Sequence, residues 1–411
     1  MNEKQNLRLK RNVGLDYVHT FLSNMNMQSS IWVLYLAYCG LHLAQIGLLE
    51  GIYHATSIVC EIPSGAAADL WGSNLCIAVS CVIMLFSKSF GWFAVSFAVQ
   101  ALGNNLNSGS EEALVYDSMK CLGQEEHYMG VYGRLNVLIE VAQGLATVAG
   151  GVLAEFSYFW CYAACVVIAV LALLPVLGMA EPPQCSKAAD TAGGSAKDAP
   201  AEGTPAQRTI WETVKHHFAV SACILQKDAR IGKIIGFYSV VFAAHTLLFF
   251  YSQQYFADFG YNKVQISVIM LLVGGASCFG ALASEKMYRR FGKRCLIPET
   301  VIIAAAILCY GSGKAGVAAA ALMCAGFANA ALYPIQSDSL NALIPSEQRA
   351  TLISVDSMCF SIAMIVLFPL AGAFADRWGL KTVLLLLGAI LLLFLLAAFC
   401  IEKESFSSDH S

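Results

Sequence analysis

Apolar stretches long enough to cross a membrane follow one another almost without pause along this 411-residue chain. A hydrocarbon core of ~30 Å needs about 20 residues of helix, and backbone polar groups left bare in lipid rule out open strands or loops there. The pattern predicts twelve helices, near residues 15–38, 43–69, 74–90, 92–118, 130–155, 157–180, 231–256, 263–285, 295–311, 315–340, 350–374 and 380–401. Polar residues on them fall in stripes. On the second helix Glu50, His54, Ser57, Glu61 and Ser64 recur at spacings of 4, 3, 4 and 3, which at about 100° per residue confines them to one face. The fourth carries Gln100, Asn104, Asn107, Ser108 and Glu111, with Asn105 and Glu112 adjoining. The fifth carries Asn136, Glu140, Gln143 and Thr147, and the first adds Asn24 and Gln28. Ionisable groups near a bilayer centre cost at least about 2.5–3.5 kcal/mol each, so these stripes are expected to line a polar cavity inside a bundle.

The pattern also repeats. A shift of 220 residues superimposes Gly40, Gln45, Ile46 and Gly72 on Gly260, Gln265, Ile266 and Gly292. A shift of 221 brings Asp117-Ser118 onto Asp338-Ser339, and Gly151-x-x-Ala154-Glu155 onto Gly372-x-x-Ala375-Asp376. Six crossings return a chain to its starting side, so the two copies are parallel. The expected fold is an all-α membrane protein of twelve transmembrane helices in two parallel six-helix bundles, 1–180 and 231–411, the second ending in a short tail. Residues 181–206 between them are rich in Ala, Gly, Pro and Ser and read as a flexible cytoplasmic linker. Ile210, Val214 and Phe218, with Lys215, His216 and Lys227 around them, predict a helix over 208–230 lying on the membrane surface.

Composition and charge set the orientation and exclude several functions. Hydrophobic residues make up 57% of the chain and charged ones 13%, about half the roughly 25% of a soluble domain. Of 25 basic residues, only Lys88, Lys263, Lys314, Arg377 and Lys381 fall outside when the N-terminus is placed inside, so both termini are cytoplasmic. Lys4, Arg8, Lys10 and Arg11 precede a segment with no small-residue cleavage site, which predicts an uncleaved first helix. Fifteen scattered cysteines without a C-x-x-C pair predict neither a disulfide framework nor a metal site. No phosphate-binding loop is present. The isolated His42, His54 and His245 offer no catalytic cluster, so neither an enzyme nor a cofactor is expected.

Between the second and third helices, Gly65-Ala-Ala-Ala-Asp69-Leu70-Trp71-Gly72-Ser73-Asn74 keeps the glycines and the acid of the signature Gly-x-x-x-Asp-Arg-x-Gly-Arg-Lys and lacks its bases. Arg289-Arg290-Phe291-Gly292-Lys293-Arg294, between the eighth and ninth, keeps the bases and lacks the acid. With six plus six helices and a long central loop, the chain resembles the major facilitator superfamily over nearly its full length. Glu61-Ile-Pro-Ser-Gly65 and Glu112-Ala-Leu-Val-Tyr116-Asp117 resemble the bacterial branch grouped with drug-efflux proteins, and Ala146-Thr147-x-x-Gly150-Gly151 is a partial form of a drug-antiporter signature. The resemblance implies a monomeric secondary transporter of the bacterial inner membrane, working by alternating access. Its partners would be a small-molecule substrate, protons as coupling ion and the lipid bilayer, with no nucleic acid.

Within that frame Glu50, Glu140 and the Glu111/Glu112 pair are the candidates for protonation, with His54 and Glu61 beside them. Either of Glu111 and Glu112 could face the cavity with the other buried and paired. Glu61, next to Pro63, equally suits helix packing, and His54 and His245 equally suit hydrogen-bonded core positions. In the second half Tyr238, His245 and Ser252, then Asn329, Tyr333 and Gln336, present aromatic and amide groups; the expectation is acids in the first half and an uncharged substrate surface in the second. Gly65, Asp69 and Gly72 are expected at a cytoplasmic gate, where the resemblance sets Asp69 against the N-terminus of the eleventh helix. Asp117 with Arg134, and Asp338 with Arg349, are acid–base pairs at repeat-related rims, expected to clamp the outward-facing state. The leading expectation is proton-coupled export of amphipathic or cationic compounds. Proton-coupled uptake of a small nutrient and a transport-inactive receptor or scaffold are the alternatives.

Overall fold

The computed structural model describes residues 3–64, 70–107, 110–180, 229–292, 296–341 and 349–408. The expected linker and most of the expected surface helix, 181–228, and residues 65–69, with Gly65 and Asp69, lie outside them. The described residues form fourteen α-helices: α1 (Glu3–Ser23), α2 (Trp32–Tyr38), α3 (Leu43–Ser64), α4 (Leu70–Phe86), α5 (Phe90–Asn107), α6 (Ser110–Cys121), α7 (Tyr128–Phe156), α8 (Tyr158–Gly178), α9 (Ala229–Asp258), α10 (Lys263–Phe291), α11 (Leu296–Cys309), α12 (Ala315–Asn341), α13 (Arg349–Trp378) and α14 (Leu380–Ser408). Taking α1 with α2, and α5 with α6, as single traverses gives twelve crossings. Six of the helices are long and apolar enough to span a bilayer by composition alone, and three shorter apolar helices accompany them.

The first traverse departs from the continuous helix expected over 15–38. α1 stops at Ser23 and α2 starts at Trp32, because Asn24, Asn26, Gln28, Ser29 and Ser30 compete for backbone groups that an apolar run would leave in the helix. The break is repaired from the other half of the molecule. Gln253 of α9 accepts from the Val33 amide (3.3 Å) and donates to the Ser29 carbonyl (3.0 Å). Ser29 and Val33 are four apart, so one carboxamide bridges the helical rung that the break opens. Ser30 Oγ reaches Ser267 Oγ at 2.9 Å, again across the halves. Gly150 admits the break, since a Cβ there would fall on the Met27 carbonyl oxygen.

The repeat read from sequence recurs in three-dimensional detail. α2 and α9 end the same way, with Gly40 at φ +89 and Gly260 at φ +81. Leu41 N bonds Leu36 O at 3.1 Å, and Tyr261 N bonds Phe256 O at 3.1 Å, the closing bond of a Schellman turn. The helices that follow are capped alike. Gln45 accepts from His42 N at 3.1 Å and Gln265 from Asn262 N at 3.0 Å. An acid from the opposite half completes each cap: Asp376 accepts from Leu43 N and Ala44 N (3.0 and 2.9 Å), and Glu155 from Lys263 N (2.9 Å). The repeat thus swaps its capping carboxylates between halves.

Two helix pairs form most of the junction between the halves, α3 against α13 and α7 against α10, with α2 against α9 beside them. Small residues let the backbones meet. A Cβ on Gly47 would lie 2.5 Å from Phe368 O, and one on Gly372 would fall on Leu43 O. Tyr251 seals the junction by donating to Phe368 O (3.1 Å) and Leu43 O (3.3 Å). The termini of α3 and α10 on which these contacts gather face the side that the Lys and Arg distribution assigns to the outside.

Candidate functional site

Below that outer seal, the polar stripes of α3 and α7 converge on the second half. Glu50 and His54 are buried on α3, with His54 Nε2 3.6 Å from Glu50 Oε1 one turn away. His54 Nδ1 lies 3.2 Å from Ser361 Oγ on α13, and its ring packs edge-on against Phe360. On α7 Glu140 is exposed and accepts from the Cys278 thiol of α10 at 3.2 Å. Both predicted stripes therefore contact the opposite half at mid-depth. Around them Gln143 donates to Asn24 Oδ1 (3.3 Å), and Asn104 donates to the Tyr53 hydroxyl (2.7 Å). Gln28 is buried with Oε1 unpartnered.

In the second half Tyr333 is exposed beside Phe242, with ring centroids 5.7 Å apart. His245 Nε2 and Asn329 Oδ1 are buried without partners. Gln336 is buried and donates to Asp356 Oδ1 at 3.4 Å. Asp356 corrects the expectation that this half lacks acids. Glu299 on α11 corrects it too, being 1% exposed with both oxygens unpartnered. Both were readable within predicted helices, but neither falls on a recurring stripe.

Of the Glu111/Glu112 pair only the Glu111 side chain is described, and it is half-buried and paired. It faces α1, where His19 Nδ1 lies 2.9 Å from its Oε1 and Thr20 donates to the same oxygen at 2.6 Å. Asp16 and His19 are fully buried beside it, and neither stood among the sequence candidates. Their signal was present: Asn12, Asp16 and His19 are spaced 4 and 3, the interval that marks the stripe on α3.

The cytoplasmic gate is only partly described. The side chains of Glu61, Glu112 and Arg349 lie outside the described residues, as do Gly65 and Asp69. Gly72 is half-buried in the first turn of α4. Asp117, Arg134 and Asp338 are exposed, and among the described residues no ion pair joins Asp117 to Arg134.

A separate pocket of about 330 Å³ opens at the outer end, lined by Tyr38, Glu155, Tyr158 and Lys263 among others. Lys263 sits 4.8 Å over the Tyr158 ring. It is on the far side of the seal from Glu140 and does not share the cavity's polar groups.

The swapped caps carry a prediction. Losing a helix cap to alanine costs about 1 kcal/mol, so Asp376→Ala should shift the balance between joined and separated outer ends roughly fivefold towards separation. Glu155→Ala should do the same at the related site. Pulsed electron resonance between spin labels at Phe156 and Phe259 reads that distance directly, and an unchanged distribution would deny the caps this role.

Comparison with known proteins places this arrangement. The model of the Major Facilitator Superfamily matches residues 18–355 and 300–409. The uncharacterized MFS-type transporter YxaM of Bacillus subtilis (strain 168) is 22% identical over 385 residues, covering 90% of each chain. A crystal structure of a mutant of the nucleoside transporter NupG superposes with a TM-score of 0.74 over 96% of this chain and 99% of its own, at 13% identity. A bacterial homolog of the human lysosomal transporter Spinster, crystallised in an inward-facing and unoccupied conformation, gives a TM-score of 0.67 over 100% and 99% at 16% identity. At these identities the structural likeness is one of fold, while the family match spans most of the sequence. The chain belongs to the Major Facilitator Superfamily: it is a multi-pass membrane protein and a secondary transporter, not an enzyme.

Proposed function

We propose that this transporter exports small amphipathic or cationic compounds in exchange for protons, by alternating access in a bacterial inner membrane. The observation that carries the reading is Glu140, a carboxylate exposed on the polar stripe of α7 at the level where α7 meets α10. Glu50 and Asp356 add acids on α3 and α13, the other inter-half pair. No Lys or Arg lies deep in the predicted spans to balance them, which suits a cation and disfavours a carboxylate or phosphate substrate. The aromatic rings of Tyr333 and Phe242 supply an apolar surface to the second half. Among the described residues the cross-half bonds lie at the outer side and at mid-depth, an arrangement that suits an inward-facing state.

Uptake of a small polar nutrient is the second reading. The amide pair Gln143–Asn24 favours it, since paired hydrogen-bonding groups recognise neutral polar solutes.

Liposomes holding the protein and a trapped pH dye, challenged with cationic dyes and then with nucleosides and other metabolites, separate the two. Export predicts proton movement driven by a cationic substrate and reduced to the protein-free background in Glu140→Gln. Substrate movement indifferent to the pH gradient would reject proton coupling.

A further inference from the structure

We propose that Asp16, His19 and Glu111 form a buried proton-binding site in which Asp16 and Glu111 share a single proton. The inference deepens the proton-coupled reading above and rests on it for its role in transport, though not for its chemistry.

The protonation states follow from the hydrogen bonds. Asn74 Nδ2 donates to the Leu70 carbonyl at 2.8 Å, and a carbonyl can only accept, which fixes the orientation of the amide. The same nitrogen lies 2.9 Å from His19 Nε2. Its second hydrogen points there, so Nε2 carries a lone pair. The His19 proton then sits on Nδ1 and is donated to Glu111 Oε1, leaving the imidazole neutral. Glu111 Oε1 accepts a second bond from Thr20, as an ionised carboxylate does.

Asp16 is in the opposite condition. It is 0% exposed, and no donor reaches either of its oxygens. The ligand-type atoms of Asp16, His19 and Glu111 lie within 4.8 Å of one another. Two adjacent carboxylates, one of them fully buried, do not both ionise.

Among the described residues no Lys or Arg pairs with either carboxylate, and Arg8 and Lys10 of α1 are exposed. Arg11, on the same helix, is committed to the Gly178 carbonyl at 2.8 Å. Besides Glu111, α6 offers only Asp117 and Lys120, both exposed; the Glu112 side chain lies outside the described residues. The charged groups of α7, Arg134, Glu140 and Glu155, are exposed, and α4 and α8 carry none. A proton on Asp16, donated to Glu111, completes the network. Loss of that proton to solvent takes the cluster from one negative charge to two and sets α1 against α6. α1 leads directly into the break that Gln253 ties to the second half, so the charge change acts on the helix that enters that bridge.

The tautomer argues against a divalent metal. Ligation through Nδ1 would move the ring proton to Nε2, where it would face the Asn74 amide hydrogens.

Infrared difference spectroscopy of the purified protein in lipid nanodiscs tests the site without any substrate. At neutral pH the wild type should show a protonated-carboxyl carbonyl band that shifts in D2O and titrates with pH. In a Glu299→Gln background, which removes the other buried carboxyl with both oxygens unpartnered, Asp16→Asn should remove it, Glu111→Gln should move its titration, and the exposed-site control Asp117→Asn should leave it unchanged. A wild type with no such band, or a band indifferent to both Asp16→Asn and Glu111→Gln, would overturn the assignment. So would a wild-type band lost when sodium replaces choline at fixed pH, which would make this a sodium site. A band that behaves as expected while the liposomes show no proton-coupled movement would leave the site standing and reject the transport reading.

Discussion

Gly372→Val should abolish transport while leaving the protein in the membrane. A Cβ at this position would fall on the Leu43 carbonyl oxygen, with the carbonyl carbon and the Tyr251 hydroxyl next to it. Backbone cannot step aside as a flexible side chain can. Overpacking of this kind costs about 1–3 kcal/mol, and the branched side chain at a backbone contact belongs at the upper end. Each 1.4 kcal/mol is a tenfold change in an equilibrium, so the joined outer state should lose on the order of a hundredfold in population. An alternating-access cycle that cannot close its outer end cannot expose its cavity inward in isolation. Spin labels at Phe156 and Phe259 should report a longer distance, and substrate movement in liposomes should fall to background. Gly151→Val tests the related position, where a Cβ would fall on the Ser267 hydroxyl and near Lys263 O. Full activity in both variants would mean that the close approach is dispensable.

Those two glycines also show what the sequence made legible. The repeat aligned Gly151 with Gly372 and Glu155 with Asp376 before any coordinates, because helix packing and helix capping each demand a residue type at a fixed interval. The stripes on α3 and α7 were equally readable, since a 3.6-residue period in lipid leaves polar groups few places to face. The capping exchange itself was hidden: nothing in the spacing of Glu155 or Asp376 says that its partner amide lies in the other half. The broken first traverse was hidden for a similar reason. Asn24 to Ser30 signalled polarity, but whether a helix opens there depends on a distant group able to satisfy the freed backbone. The Asp16–His19–Glu111 cluster combined both difficulties. Its spacing on α1 was visible, yet its chemistry needed Glu111 and Asn74 from two other helices, and the sequence left open whether Glu111 or Glu112 faces the cavity.

The distant group that permits the break is Gln253, and its replacement should be the most damaging single change to stability outside the glycines. Gln253 is 0% exposed, and its amide both accepts from Val33 N and donates to Ser29 O. Gln253→Leu keeps most of the volume and removes both bonds. Each buried backbone group left unsatisfied costs about 1–3 kcal/mol, so the expected loss is roughly 2–6 kcal/mol, borne where α2 meets α9. Thermal unfolding in detergent should show a clear fall in Tm. The same variant should weaken the outer seal, because the amide joins the two halves. Gln253→Glu separates the two functions of the group. It still accepts from Val33 when ionised but turns an oxygen towards the Ser29 carbonyl, so it should be at least as harmful as the leucine. A Tm unchanged in Gln253→Leu would show that the break satisfies its own backbone, and the cross-half bridge would then be a consequence of the fold instead of a condition for it.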